Sequence, residues 1–165
     1  MLYRSLVPLL LVVVGSSFVS AQSTTDDAKT KLTAGPKDDR EKVKPGKIDE
    51  DAAKEFKKTD SGLKYRILRK TDGKKPGPRD KVQVHYKGWL DNKTIFDSSY
   101  RRGEKIEFGL YQVIRGWTEG LQLVGEGGMI ELEIPANLGY GARGAPPTIP
   151  PQATLHFVVE LFQVK

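Results

Sequence analysis

Val113-Ile114-Arg115-Gly116-Trp117 is the stretch on which the reading of this chain turns. Two β-branched residues and a glycine lead into a tryptophan, and apolar residues then recur at helical spacing (Trp117, Leu121, Val124). A tryptophan in that place has two uses. It either anchors a core at the start of a short helix, or it lines an apolar cavity with an indole whose N–H needs a partner. These five residues leave both open, so the sequence on either side has to decide.

Downstream, Gly125 to Gly128 closes the helical pattern, since glycine tolerates the left-handed conformation common at helix ends. Ile130, Leu132 and Ile134 then alternate with Glu131 and Glu133, a strand with one apolar face. A Gly- and Pro-rich loop spans Pro135 to Pro151, and a last strand carries Leu155, Phe157, Val159 and Leu161 on one face. Upstream, Ile106 and Phe108 form a short strand, and Ile95-Phe96-Asp97-Ser98-Ser99 forms another extended piece. Val82, Val84 and Tyr86 share one face of a clearer strand, with Gln83, His85 and Lys87 on the other. Gly88 interrupts that strand, which signals a bulge or a close backbone approach. Leu63, Tyr65 and Ile67 make the first strand, separated from the next by turns at Asp72-Gly73 and Pro76-Gly77-Pro78. One short helix and about five or six antiparallel strands predict an α+β domain in which the helix covers one face of a curved sheet. His85 and His156 fall opposite the apolar faces of their strands and are expected at the solvated surface.

The N-terminal part differs in kind. Met1 to Ala21 has a single Arg4, an apolar run from Leu6 to Val14, and small residues ending at Ala21. That is the layout of a secretory signal, with cleavage expected after Ala21. Its apolar run falls short of the roughly 20 residues a membrane span needs. Export to a periplasm or cell envelope, or secretion, is therefore expected, with no stable membrane insertion after cleavage. Residues 22–58 are rich in Asp, Lys, Thr, Gly and Pro. From Gln22 to Asp60 there are ten acidic and ten basic residues and few large apolar ones (Leu32, Val43, Ile48, Phe56). Such a segment buries little apolar surface and reads as a flexible tether. A short helix over Asp49–Lys58 is its one candidate for regular structure, and the folded domain is expected over 59–165.

Composition removes several chemistries. There is no cysteine, so disulfide scaffolds, thiolate nucleophiles and zinc–thiolate sites are excluded. The formal charge of +6 is modest and its basic residues are dispersed. The aromatics follow strand alternation rather than interleaving with the basic residues, so nucleic-acid binding is not indicated. Gly139-Tyr140-Gly141-Ala142-Arg143-Gly144 spells a dinucleotide fingerprint, but proline pairs follow where a helix would have to start. Ser98-Ser99 beside Asp97 lacks the Gly-x-Ser-x-Gly elbow of a hydrolase. What remains is a set of apolar and aromatic residues around few polar ones: Tyr86, Phe96, Asp97, Val113, Ile114, Trp117, Tyr140, Ile149 and Phe157. Asp97 is either a turn cap or a polar group at a pocket edge.

Taken in order, Val84-His85-Tyr86-Lys87-Gly88, Phe96-Asp97-Ser98-Ser99, Val113-Ile114-Arg115-Gly116-Trp117, Tyr140-Gly141, Ile149-Pro150-Pro151 and Ala153-Thr154-Leu155 resemble the FKBP family of peptidyl-prolyl cis–trans isomerases. The resemblance runs over about Ser61 to Lys165, and Thr59 to Tyr65 resembles the exported bacterial branch. It implies an antiparallel sheet wrapped around a short helix and a proline pocket with Trp117 as its floor. Tyr86, Phe96, Ile106, Val113, Ile114 and Phe157 would be its walls, and Ile149 part of a flap. Asp97 and Tyr140 would supply polar contacts, and the Ile114 backbone N–H would donate to a substrate carbonyl. The implied activity is isomerisation of X–Pro bonds in unfolded or partly folded polypeptides, with no metal or organic cofactor. The alternative is a chaperone or proline-peptide binding module with little catalysis. Macrolide inhibitors are implied ligands. Ile106 stands where the family often has Phe, and Ala145 and Thr148 where well-studied members have His and Ile. Those departures bear on substrate preference and macrolide affinity. Asn92-Lys93-Thr94 is a glycosylation sequon, relevant only in a eukaryotic secretory lumen.

Overall fold

A computed structural model describes residues 31–165; the expected signal segment 1–21 and residues 22–30 lie outside them. Alternation of apolar residues becomes strand as anticipated. β1 (Lys57–Lys58), β2 (Lys64–Arg69), β3 (Lys81–Leu90), β4 (Ile95–Ser98), β5 (Ile106–Gly109), β6 (Met129–Ile134) and β7 (Leu155–Val164) form one antiparallel sheet. Its order is β1-β2-β6-β7-β3-β4, with β5 pairing the other end of the same β3 edge. The extra strand beyond the five or six expected is β1, a two-residue edge piece pairing Lys57 with Tyr65 and Lys58 with Lys64. It occupies the end of the stretch where a short helix was expected. Phe56 is the only large apolar residue in that stretch, too little for a helical stripe, so pairing to β2 wins.

One face of the sheet carries Val82, Val84 and Tyr86 of β3, Ile130, Leu132 and Ile134 of β6, and Leu155, Phe157, Val159 and Leu161 of β7. Fully burying side chains of this size is worth about 1.5–3 kcal/mol each. The helix α2 (Arg115–Leu121) covers this face through Trp117 and Leu121. It lies close because Gly116 faces β6: a Cβ there would stand 2.5 Å from Ile134 Cγ2. α2 ends earlier than the spacing of Val124 suggests. Leu123 N–H donates to the Gly120 carbonyl and Val124 N–H to that of Leu121, three-residue steps that wind the chain out of the helix. A second helix, the single turn α1 (Ser99–Arg102), was not anticipated. Ser98 caps it by accepting from Arg101 N–H, and Gly103, at φ 83°, closes it.

The opposite face is not solvated. Residues 31–58 run across it as an ordered strap. Leu32, Ala34 and Ile48 pack with Ile95 against a second cluster of Leu68, Trp89, Tyr100, Met129 and Val158. Polar pairing does the rest. Lys87 Nζ, with its side chain 3% exposed, donates to Glu41 at 2.7 Å and to the Pro36 carbonyl at 2.9 Å. Glu160 accepts from Gly46 N–H at 2.8 Å, Tyr100 Oη at 2.7 Å and Arg69 Nη2 at 2.9 Å. Asp49 docks on β2 through its N–H to the Leu68 carbonyl and its carboxylate to Lys70 N–H.

This corrects two expectations. The flexible tether is, over 31–58, a docked part of the folded unit, because its charges find partners in the sheet rather than in water. The histidines are likewise covered: His85 is 5% exposed and stacks on Tyr100, and His156 stacks on Trp89 with Asp91 accepting at 2.7 Å. No helix among the described residues is long and apolar enough to cross a membrane.

Candidate functional site

The site grows from Trp117, buried on the first turn of α2 with 4% exposure. Three aromatic rings meet it edge-on. Tyr86 from β3 lies at 5.2 Å between centroids and 87° between planes, Phe108 from β5 at 5.6 Å and 86°, and Phe157 from β7 at 5.3 Å and 82°. Phe96 from β4 meets Phe157 at 5.5 Å and 86°. Edge-to-face pairs suit the aromatic quadrupole and add about 0.5–1.5 kcal/mol each beyond area. Ile106, Val113 and Ile114 pack half-buried against the same cluster, and Ile149 is buried within it. One tryptophan is thus boxed by rings from three strands, and Phe96 of a fourth joins them through Phe157.

Gly88 makes the box possible. The β3–β4 register shifts between Gly88 and Trp89, and a Cβ on Gly88 would stand 2.6 Å from both Phe157 Cε1 and Phe96 Cζ. Both expected uses of the glycine, bulge and close approach, occur together.

The polar side of the site is a three-residue chain. Tyr86 Oη donates to Asp97 Oδ2, and Arg102 Nη1 donates to Asp97 Oδ1 at 2.5 Å. Arg102 Nη2 donates to Tyr86 Oη at 3.0 Å, and its guanidinium lies 5.6 Å from the Tyr86 ring centroid. Burial, with the Asp97 carboxylate adding to it, pushes the Tyr86 phenol up to about 12, so it keeps its proton and donates at any physiological pH. Asp97 is half-buried and belongs to β4; capping of α1 falls to Ser98 instead. The Asp97 carboxylate thus meets Tyr86 and Arg102 and does not cap a turn.

Ile114 sits at the N-cap of α2 with φ −60° and ψ 149°, and its carbonyl accepts from Trp117 and Thr118 N–H. Its own N–H meets no acceptor among the described residues. Trp117 Nε1 is likewise a buried donor without an acceptor among the described residues. Tyr140, 44% exposed, precedes the 3-10 turn Gly141–Arg143. Further along that loop, Ala145 and Ile149 form a bridge through two backbone hydrogen bonds of 2.9 Å each.

Nine of the ten residues singled out from the sequence therefore converge on Trp117 and its rim: Trp117 itself, Tyr86, Phe96, Asp97, Ile106, Val113, Ile114, Ile149 and Phe157. Tyr140 stands apart from the buried cluster, on the exposed loop. Two members were missed. Phe108 lies two residues from Ile106 on β5 and shares its face, a period-2 signal that was available. Arg102 follows Arg101 in a basic pair, and nothing local marks which of the two reaches Asp97.

A family model described as FKBP-type peptidyl-prolyl cis-trans isomerase matches residues 72–162. The chain is 44% identical over 151 residues to a probable FKBP-type peptidyl-prolyl cis-trans isomerase of Haemophilus influenzae, covering 87% of this chain and 63% of that one. It is 47% identical over 118 residues to the FKBP-type 22 kDa peptidyl-prolyl cis-trans isomerase of Escherichia coli, covering 71% and 57%. The chain thus spans about three fifths of the length of these relatives. Among solved structures, FkpA from Escherichia coli superposes with TM-score 0.66 at 47% identity, over 68% of this chain and 53% of that one. AtFKBP13 superposes with TM-score 0.63 at 33% identity, over 67% and 99%.

Proposed function

The chain belongs to the FKBP-type peptidyl-prolyl cis-trans isomerase family, and on that premise we propose that it accelerates X–Pro isomerisation in unfolded or partly folded polypeptides. The observation that carries this reading is the aromatic box around Trp117, with the Tyr86–Asp97–Arg102 chain on its edge.

Rotation about a peptide bond faces a barrier of about 18–20 kcal/mol, because resonance stiffens C–N. Unaided X–Pro exchange takes roughly 10–100 s at 25 °C. The twisted transition state has lost that resonance and with it part of the charge separation of the planar amide. A pocket of Trp117, Tyr86, Phe108, Phe157 and Phe96 rings replaces water around the amide. It thereby disfavours the polar planar form more than the twisted one, which is the differential binding that catalysis requires. The Ile114 N–H, which has no acceptor among the described residues, supports this reading as the donor to the substrate carbonyl next to this floor. Asp97 takes no proton in the cycle. Both its oxygens are engaged by Tyr86 and Arg102, so it acts as a fixed charge on the rim. Tyr140, exposed at the loop, supplies a hydroxyl to the bound chain, and Ile149 pins that loop to the box. Each factor of ten in rate needs about 1.4 kcal/mol, so several walls and one or two hydrogen bonds are enough for a useful enzyme.

The secretory layout of residues 1–21 supports export, with clients among exported proteins in a periplasm or envelope. Macrolides are expected to compete for the same box, weakened by Ile106, Ala145 and Thr148. A protease-free isomerase assay on a proline tetrapeptide tests the proposal. The wild type should accelerate exchange and Asp97→Ala should be slower. No acceleration over the spontaneous rate by the wild type overturns it. Protection of a client from aggregation without acceleration would replace it with a holding module.

A further inference from the structure

α1 is a helix of four residues, and one turn has too few internal hydrogen bonds to hold its own shape. Something outside must fix it, and the strap does so from one side only. Asp38, with its side chain 4% exposed, accepts from Arg101 Nε at 2.5 Å and from Arg40 Nε at 3.3 Å. Burial would push the Asp38 carboxyl up, but the Arg101 and Arg40 donors bring it below the usual range, so it stays charged at neutral pH. Lys42 and Val43 N–H both donate to the Tyr100 carbonyl, at 3.0 and 3.3 Å. The residue after Arg101 is Arg102, the donor to Asp97 and Tyr86. Consecutive residues on a helix project about 100° apart, so Arg101 reaches the strap while Arg102 reaches the pocket rim. The same short turn is held from both sides.

We propose that Asp38, with the Lys42 and Val43 amides, is a positioning element of the site: it fixes α1 through Arg101 so that Arg102 stays on Asp97 and Tyr86. The family match begins at residue 72, so this element lies outside it. The inference rests on the isomerase reading of the pocket. It gives the strap a part in the rate, beyond its part in stability.

The test is steady-state isomerase kinetics on the full chain, at a temperature well below the melting point of every variant. Small misplacements of catalytic groups are costly, up to about a hundredfold for 1 Å; a loosened but present Arg102 should cost less. Asp38→Asn should lower kcat about fivefold with KM within about twofold, and Asp38→Glu should restore most of the loss. Arg101→Gln should lower kcat alike, and the double variant should be no slower than either single, as expected if both act through one contact. Ile48→Ala is the control, since Ile48 holds the strap beside its docking point on β2. It should lower stability while leaving kcat unchanged. By NMR, solvent exchange of the Arg102 guanidinium protons should quicken in Asp38→Asn and not in Ile48→Ala. If an active wild type and Asp38→Asn share the same kcat, the inference falls and the isomerase reading stands. If Ile48→Ala loses kcat in step with Asp38→Asn, the role is structural only and the inference falls. A wild type without activity overturns the isomerase reading, and the inference with it.

Discussion

Glu41→Gln decides whether residues 31–58 are part of the fold. Lys87 points away from the pocket, into the face under the strap, and its ammonium is almost fully buried with Glu41 as its ionic partner at 2.7 Å. The Glu41 side chain is itself 4% exposed, so neither charge is shared with bulk water. Glutamine keeps the shape and removes the charge. Lys87 then retains the Pro36 carbonyl at 2.9 Å but no carboxylate. Breaking a buried pair by removing one partner costs about 3–5 kcal/mol, because the other charge stays buried and uncompensated. A domain holds only about 5–15 kcal/mol in all, so the loss should be plain in urea titrations. The strap has one escape: it can undock and let Lys87 reach water. That caps the loss at the free energy of docking and lowers the m-value, since less surface remains to expose on unfolding. The double variant Glu41→Leu, Lys87→Met removes both charges and should return to within about 1–2 kcal/mol of the wild type. If Glu41→Gln unfolds within 0.5 kcal/mol of the wild type at unchanged m (roughly the scatter expected of a surface change), the strap is not seated on Lys87. Residues 31–58 would then be the tether that their composition suggests.

Tyr86→Phe removes the hydroxyl between Asp97 and Arg102 while keeping the ring against Trp117. Losing a hydrogen bond to a charged group is worth about 1.5–3 kcal/mol, so kcat/KM should fall by roughly tenfold or more, and an unchanged value would remove the rim chain from the mechanism. Phe108→Ala opens the wall that composition-level reading overlooked. It should cost about 2–4 kcal/mol in stability, below a fully buried Phe because Phe108 is only partly buried, and should also weaken binding of a proline peptide; undiminished peptide affinity would place Phe108 outside the pocket. His85 titrates below its ordinary value because burial disfavours its charged form, Lys105 adds to the shift, and Glu160 opposes it. The unfolded chain therefore binds more protons between the lowered value and about 6.5, and stability rises with pH through that window. Its contribution is present above about 6.5 and lost as pH falls below it. Urea midpoints from pH 7.5 to 5.5 should drop for the wild type and stay flatter for His85→Gln; equal slopes would count against a buried neutral His85.

The helix-facing side of the sheet could be read directly, because Val82, Val84 and Tyr86, or Leu155, Phe157 and Val159, repeat at the period of a strand. The far side could not. His85, Lys87, Glu131 and Glu160 are the residues that alternation assigns to water, yet all four are buried. A polar residue in a strand pattern says that its partner is polar; it does not say whether that partner is solvent or a segment some fifty residues earlier. The strap was misread for the matching reason. Its apolar content is too low for a core of its own, and that rule holds, but Glu41 and the Gly46 amide dock by pairing with charges that the sheet already carries, and Asp38 by pairing with Arg101 of α1. The pocket residues came through family resemblance more than through physics, since each aromatic taken singly reads as core. Arg102 shows where both routes stop: only the fold, which turns Arg101 to Asp38 and Arg102 to Asp97, separates the two.

Covering both faces changes what β3 can do. Tyr86 faces the pocket between His85 and Lys87, which face the strap, and Tyr86 N–H donates to Ser99 Oγ at 2.8 Å while His85 Nδ1 meets the same hydroxyl at 2.9 Å. Ser99 is the first residue of α1, so a single buried hydroxyl ties the strand that carries the pocket wall to the turn that carries Arg102. A strand with one solvated face has an easy direction in which to flex. β3 has none, with α2 beneath it, the strap above it, and β7 and β4 on its edges. An isomerase that works by differential solvation needs a box that keeps its shape as the amide twists, because walls that follow the substrate stabilise the planar and twisted forms alike. The buried charges under the strap add little net stability over apolar equivalents; on the isomerase reading proposed above, the use expected of them is to hold the strap against β3, whose Tyr86 packs on Trp117.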